Sequence, residues 1–284
     1  MIAAGVADLP EILEFLWARA ETAMFLLNIL HHYGKVGDHR YSPQIWMQRD
    51  RQGEISDVMA LNQLGEMRPC FTTDAAEPAA QALRGKYVQS IEGPKAAVRG
   101  IEAAAGLEDR GPYKMNQDLP HFLLDLENML MPEGIGTLIP LEQAPPAIVK
   151  EWIYDYEMAV CLTPQADATQ EASKKYEKYL SLGSYRVLMD KGRPLSMTGF
   201  NVEFEDIVQV AGVYTPPELR GQGFARRALA LHLEKAAENG VKRATLCALS
   251  DTAARAYKSI GFQNIGTWTH LGFSSSRQVL ESCH

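Results

Sequence analysis

Apolar positions in the first third of the chain recur first at helical and then at strand spacing. Ile12, Leu13, Leu16 and Trp17 mark an opening helix with Pro10 in its first turn, and a second apolar helix over 20–32 runs toward Gly34. From Gln44 to Thr73 the pattern turns strand-like (IWMQRD, ISDVMALNQ, EMRPCFT), broken by turn residues at Arg51-Gln52-Gly53 and Gly65. A helix over 77–83, a strand over 87–91, a helix over 94–105 and a strand over 113–117 complete an α-α-β-β-β-α-β-α-β order. The stretch LPHFLLDLENML, residues 119–130, is apolar and predicts a packed helical link.

The remainder repeats that order after one extra strand at GTLIPL, residues 136–141. Pro145-Pro146 opens a helix carrying Ile148, Val149, Trp152, Ile153 and Tyr156, and a more charged helix follows over 168–182. Strands over 185–189 and 194–200 flank the turn Asp190-Lys191-Gly192, and DIVQVAGVY, residues 206–214, is apolar enough for a central strand. A glycine-containing loop, a helix over 224–239 closed by Gly240, a strand over 244–249, a helix over 252–259 and a strand over 263–271 end the chain. One element order used twice suggests a tandem α/β architecture with a mixed sheet in each copy, divided into domains 1–130 and 131–284.

Composition narrows the class. With 28 Lys+Arg against 35 Asp+Glu the 284-residue chain carries a formal charge of −7, which argues against nucleic acid as a partner. A hydrophobic fraction of 46% and a charged fraction of 22% are those of a soluble globular protein large enough to bury a core unaided. Cys70, Cys161, Cys247 and Cys283 have no zinc or disulfide-framework spacing, so unpaired thiols and no metal are expected. His31-His32 diverge as neighbours on a helix and are assigned no metal either. The acidic start MIAAGVADLPEILEFLW is unlike a secretory leader, and no apolar run reaches bilayer length, so a cytoplasmic location without membrane contact is expected.

The chemistry is concentrated in QVAGVYTPPELRGQGFARRALALHLEKAAENG. A strand runs through two prolines into Arg220-Gly221-Gln222-Gly223-Phe224-Ala225 and then into an amphipathic helix with Leu229, Leu233 and Ala236 on its buried stripe. A glycine turn at a helix start aims free N–H groups at one spot, where the helix dipole places about half a positive charge. Such a nest takes a phosphate or diphosphate without a lysine. Gly221 and Gly223 let a ligand approach the backbone, and Arg220, Arg226 and Arg227 add positive charge. A Walker loop is excluded because Phe224-Ala225 follow the second glycine, and a GxGxxG dinucleotide loop because Arg226 stands at its third glycine.

Arg220-Gly-Gln-Gly223-Phe-Ala225 resembles the Arg/Gln-x-x-Gly-x-Gly/Ala signature of the GNAT superfamily of acyl-CoA-dependent N-acetyltransferases. VYTPPE, Val213 to Glu218, looks like one subgroup of it, and SDTAARAYKSIGF, Ser250 to Phe262, resembles the superfamily's later segment. The likeness covers about 136–273. The upstream half shares only the element order. Its loop Thr72-Thr73-Asp74-Ala75-Ala76 has no glycine or positive charge, so it is expected to be a degenerate copy that holds no diphosphate.

The resemblance implies a GNAT-like fold in two tandem copies, with acetyl-CoA as co-substrate held in a V between strands ending at Tyr214-Thr215 and Leu249. Pantetheine would pair with the backbone of Val213, Tyr214 and Thr215, and the diphosphate would rest on Arg220, Gly221, Gln222, Gly223, Phe224, Ala225 and Arg226. A backbone N–H near Val213 or Tyr214 would polarise the thioester carbonyl. Tyr257 matches the tyrosine that protonates the departing thiolate, and Ser250, where relatives carry asparagine, could bond a pantetheine amide. Relatives with a glutamate base carry it where this chain has Ile207. Glu205, two residues earlier, is either a base acting through water or an exposed strand-end carboxylate.

Trp152, Tyr154, Asp155, Tyr156 and Glu157 fall on the helix that commonly borders the acceptor cleft. The leading expectation is an acyltransferase acting on a primary amine of a small molecule in a ternary complex. The alternatives are an acceptor amine on a protein or peptide, a longer acyl donor, and a non-catalytic acyl-CoA sensor. With two similar halves, either a monomer or a homodimer is expected.

Overall fold

The computed structural model describes residues 1–34, 39–159 and 165–280. They form two compact units, Met1–His121 with the chain from Gly266 onward, and Phe122–Ile265. The 130/131 boundary read from the sequence differs from this division, which places 122–130 in the second unit and returns the chain to the first after Ile265.

In the first unit, the short strand β1 (Ile2–Ala3) precedes helices α1 (Leu9–Trp17) and α2 (Ala20–Tyr33). In α1 the buried stripe is Ile12, Phe15 and Leu16, while Leu13 and Trp17 stay exposed. Helix α2 buries Ala20, Ala23, Met24, Leu27 and Leu30 at three- and four-residue spacing. Strands β2 (Gln44–Arg49), β3 (Ile55–Leu61) and β4 (Glu66–Phe71) pair antiparallel, and β3, flanked on both sides, is buried along its whole length. Helix α3 (Ala76–Ala82) leads to β5 (Tyr87–Pro94), parallel to β4, and α4 (Lys95–Ala104) leads to β6 (Tyr113–Asp125). Strand β12 (Gln263–Gln278) enters this unit at Gly266 and pairs antiparallel with β5 and next to the early part of β6.

Two strands run longer than the sequence pattern suggests. The expected helix over 119–130 is a correction: β6 continues to Asp125, and a single 3-10 turn, Leu126–Asn128, follows. Phe122, Leu124 and Leu126 are buried on alternate positions, so the stretch keeps strand period. Strand β12 passes Leu271 through a register shift between Gly272 and Arg277. Arg277 is then buried, with its guanidinium over the Phe273 ring at 3.9 Å and donating to the carbonyls of Leu107 and Gly111.

In the second unit the order across the sheet is the end of β6, then β11, β10, β9, β8 and β7. These are β7 (Thr137–Pro140), β8 (Arg186–Asp190), β9 (Arg193–Phe204), β10 (Ile207–Tyr214) and β11 (Arg243–Cys247). Helices α5 (Pro146–Ala159) and α6 (Gln165–Leu182) join β7 to β8, α7 (Phe224–Glu238) joins β10 to β11, and α8 (Asp251–Lys258) precedes β12. Strand β10 is antiparallel to β9 and parallel to β11. One core packs α7 and α8 against Phe122, Leu124, Val208, Val210 and Leu246. A second packs α5 and α6 against Tyr185, Val187, Met197 and Tyr214.

Among the described residues no helix is long and apolar enough to cross a membrane. Cys70 is buried and Cys247 half-buried. Burial pushes the Cys70 thiol up to about 12. Cys161 and Cys283 lie outside the described residues.

Candidate active site

The site grows from the way β10 ends. Its parallel ladder with β11 runs from Ile207–Arg243 to Gln209–Thr245. Beyond that register β10 continues to Tyr214 and β11 to Cys247 without further pairing, and the gap opens there. On the other side, the β9 register jumps between Ala211–Gly199 and Tyr214–Met197, so Gly212 and Val213 form a bulge.

The bulge is built around one side chain. Gly212 has φ +60°, and a Cβ there would stand 2.6 Å from Tyr185 Cε1; at Gly199 it would stand 2.4 Å from the same ring. Tyr185 is fully buried, stacked on Tyr179 at 3.7 Å, and donates its hydroxyl to Asn201 Oδ1 at 3.1 Å. At the strand end, the buried Ser196 hydroxyl donates to the Tyr214 carbonyl at 2.8 Å and stands 2.8 Å from the Thr215 hydroxyl.

Pro216-Pro217 then stop the strand, since proline has no N–H for the ladder. The 3-10 turn Pro217–Leu219 buries Leu219 beside Leu188, Leu195 and Ala228 and so moors the loop. Gly221 at φ +79° and Gly223 at φ +83° turn the chain into α7. Nothing would lie within 4 Å of a Cβ on Gly221, so its glycine answers a need of backbone conformation and not of space.

The N–H of Arg220 bonds to Pro217 and that of Arg227 to Gly223. None of the six amides between them, Gly221 to Arg226, has a backbone acceptor among the described residues. They stand at the positive end of a 15-residue helix.

These elements enclose a cavity of about 790 Å³. Val213, Tyr214, Thr215, Arg220, Gly221, Gly223, Phe224, Ala225, Arg226, Ser250 and Tyr257, all expected from sequence, line it. Gln222 belongs to the loop but not to the lining; its amide nitrogen reaches the Glu218 carbonyl at 3.5 Å. Ser250 caps α8, accepting from the Ala253 N–H at 3.2 Å, which leaves its hydroxyl proton free to donate.

Tyr257 is buried, and burial pushes its phenol up to about 12, so it is a protonated donor at neutral pH. Arg220 is oriented by its Nε donating to the Thr215 carbonyl at 3.0 Å. Arg227 faces elsewhere, donating to the Pro132 carbonyl at 2.8 Å.

Glu205 is a correction. It lies in the exposed β9–β10 turn at φ +49°, so strand alternation does not reach it. The cavity lies at the other end of β10, roughly 25 Å away at the usual strand rise. His232 is buried and stacked on Phe200 at 3.9 Å; burial, with the Arg186 charge adding, holds its imidazole down at about 3, a neutral core ring.

Tyr156, on the helix expected to border the acceptor cleft, lines the cavity as well, and so do Leu219, Thr252, Arg255 and Ser259, which the sequence pattern does not mark as lining. Thr252 and Arg255 on α8 and Ser259 at its C-cap recur at three- and four-residue spacing, a row distinct from that of Ala253, Ala256 and Tyr257, which also line the cavity, but Arg255 in isolation reads as a solvated helix charge. On α5, Trp152 is core and the buried Glu157 is paired with Lys175. Asp155 accepts the Tyr214 hydroxyl at 2.9 Å.

A free-amide nest flanked by Arg220 and Arg226, in a cavity of this size open between two strands, fits a diphosphate carrying a long extended arm, as in coenzyme A. Among the described residues no group of three or more His, Cys, Asp or Glu stands together to hold a metal.

Residues 149–262 match the model of the Acetyltransferase (GNAT) family, a segment wholly inside the second unit and less than half of the chain. Three solved structures share the fold over nearly their full length. A Drosophila protein is 12% identical with a TM-score of 0.62, covering 95% of this chain and 97% of its own. A GCN5-related N-acetyltransferase from Kribbella flavida is 20% identical with a TM-score of 0.56, covering 91% and 95%. A GCN5-related N-acetyltransferase from Sphaerobacter thermophilus is 15% identical with a TM-score of 0.51, covering 99% and 96%. Among curated proteins none matches. The fold is thus the mixed α/β fold of GNAT acetyltransferases.

Proposed function

We propose that the second unit is an N-acetyltransferase that moves an acetyl group from acetyl-CoA to a primary amine of a small molecule by direct attack, with both substrates bound. The observation that carries this reading is the run of six amides, Gly221 to Arg226, without a backbone acceptor among the described residues, at the head of α7, five of these residues lining the 790 Å³ cavity.

Each role follows from the chemistry of the group. The amides and the Arg220 and Arg226 side chains hold the diphosphate. The end of β10 that β11 leaves unpaired, with Thr215 just beyond it, offers the backbone of Val213 to Thr215 to the pantetheine arm. The bulge takes Val213 out of register with β9, which favours a backbone N–H there as the group that polarises the thioester carbonyl. Tyr257, neutral and buried, gives its proton to the leaving thiolate, and Ser250 donates to a pantetheine amide.

We read the first unit as a degenerate GNAT-like copy without a coenzyme site, and the VYTPPE loop as support for that subgroup in the second. In the first unit's β4–α3 turn the N–H groups of Thr72 and Thr73 both donate to the buried Asp57 carboxylate at 2.9 Å, as does the Thr73 hydroxyl at 2.7 Å. An internal carboxyl group thus takes the amides of this turn, whereas Gly221 to Arg226 have no backbone acceptor among the described residues.

The test is thiol release from acetyl-CoA across amino acids, polyamines, aminoglycosides and peptides. Tyr257→Phe should lower kcat about a hundredfold while the Kd for acetyl-CoA stays within a factor of about two. Tight acetyl-CoA binding with no thiol release on any amine would favour a sensor instead.

A further inference from the structure

The amine arrives protonated if it is an ordinary alkylamine, and an ammonium has no lone pair with which to attack. Something at the acceptor side must take that proton, and Glu205 stands at the wrong end of β10. Tyr214 lines the cavity and is 6% exposed, at the strand end where the acyl group is expected. Its hydroxyl donates to Asp155 Oδ2 at 2.9 Å. Asp155 does not line the cavity; it stands behind Tyr214 on α5, one turn from Trp152, whose ring is 6.0 Å from that of Tyr214. The next residue, Tyr156, does line the cavity.

We propose that Tyr214 and Asp155 form the proton path for the acceptor, and that this path suits the enzyme to small alkylamines carrying a positive charge at neutral pH. This inference rests on the acetyltransferase reading above. One N–H proton of the ammonium passes to the phenol oxygen of Tyr214 as the phenol passes its own proton to Asp155 Oδ2. The freed lone pair forms the C–N bond, the nitrogen gives its second proton to solvent, the C–S bond breaks, and the thiolate takes the Tyr257 proton, which solvent restores. Asp155 returns its proton to water. Ammonium and thioester become amide, thiol and one released proton.

Asp155 acts through Tyr214 and is a positioning residue. The charged groups acting on the phenol are Asp155 from α5 and Arg220 and Glu218 from the loop after β10. Burial, with the Asp155 bond adding, raises the phenol well above its ordinary value. It therefore stays a neutral hydroxyl that relays a proton and does not ionise. On α6, Lys175 pairs with Glu157 and lies 6.0 Å from the Tyr156 ring.

An aromatic amine is already neutral at pH 7 and needs no such path, which supplies the test. Thiol release is measured for the full chain and for Asp155→Asn and Tyr214→Phe, with alkylamine and arylamine acceptors side by side. Acetyl-CoA affinity is followed by calorimetry.

The expected result is a fall of about a hundredfold in the ratio of alkylamine to arylamine kcat/KM in both variants. In Asp155→Asn the loss should shrink as pH rises and more alkylamine is free base. A purely structural role would lower both acceptors alike and leave the ratio unmoved, which would overturn the inference. So would a wild-type protein that uses arylamines alone, with the acetyltransferase reading left standing. A wild-type protein that releases thiol with neither class overturns both.

Discussion

Adding one methyl group at Gly212 tests how the fold makes the site. Alanine at φ +60° pays the left-handed penalty of about 1–2 kcal/mol. Its Cβ would also stand 2.6 Å from Tyr185 Cε1, well inside van der Waals contact. Tyr185 cannot retreat, because it is fully buried, stacked on Tyr179 at 3.7 Å and tied to Asn201. Overpacking of that kind costs about 1–3 kcal/mol, so Gly212→Ala should lose about 3 kcal/mol in all. Some of that strain can be relieved by flattening the bulge, which would turn the Val213 peptide and weaken acetyl-CoA by about tenfold or more.

Urea unfolding and calorimetric titration of the same protein read both effects. Trimming the ring as Tyr185→Leu should make Gly212→Ala cheaper by about 1 kcal/mol or more in a double-mutant cycle. A neutral Gly212→Ala, or strict additivity with Tyr185→Leu, would refute the argument that this contact shapes the bulge.

Other outcomes follow from the first unit. Asp57→Ala takes the buried carboxyl acceptor from the Thr73 amide and two hydroxyl donors, and leaves the Thr72 amide only the Ser56 carbonyl at 3.2 Å. It should cost about 3 kcal/mol in urea unfolding, and a loss under about 1 kcal/mol would count against the capping role. Burial alone would raise Glu92, but Arg68 at 3.0 Å and His270 outweigh it and hold it at about 2. Asp118 is likewise held at about 2, with burial opposed by Thr269, Lys95 and Arg99. Both carboxyls are depressed in the folded state. Their stabilisation is therefore complete above about pH 4.5 and is lost as pH falls toward 2, at about 2 kcal/mol each after allowing for exposure of a quarter of each side chain. Unfolding midpoints between pH 6 and 2.5 measure this, and Glu92→Gln should flatten the slope.

The glycine loop was legible because its chemistry is local. Arg220 to Ala225 must supply positive-φ turns and bare amides within six consecutive positions, and only a narrow set of residues does that. Most helices were legible from periodicity for the same reason. What escaped depends on distant partners. Residues 119–130 are apolar enough for helix or strand, and the alternate burial of Phe122, Leu124 and Leu126 decides for strand only once a sheet receives them.

Glu205 was misplaced because a two-residue turn at φ +49° ends the alternation on which its facing depended. Asp155 was one of several polar residues on α5. Its pairing with Tyr214, 59 positions away, leaves no trace in local pattern. The domain boundary escaped for a topological reason: the chain after Gly266 rejoins the first unit, which no linear reading of composition reports.

The claim on which all of this rests is that the amides of residues 221–226 hold the diphosphate of coenzyme A. The direct measurement is calorimetric titration of the full chain with coenzyme A and with dephosphorylated pantetheine, repeated on Gly221→Pro, which removes one amide and forbids the positive φ. Micromolar binding of coenzyme A is expected, with a loss of at least about tenfold for pantetheine and a comparable loss in the variant. Equal affinity for the two ligands, or an unaltered Gly221→Pro, would contradict it.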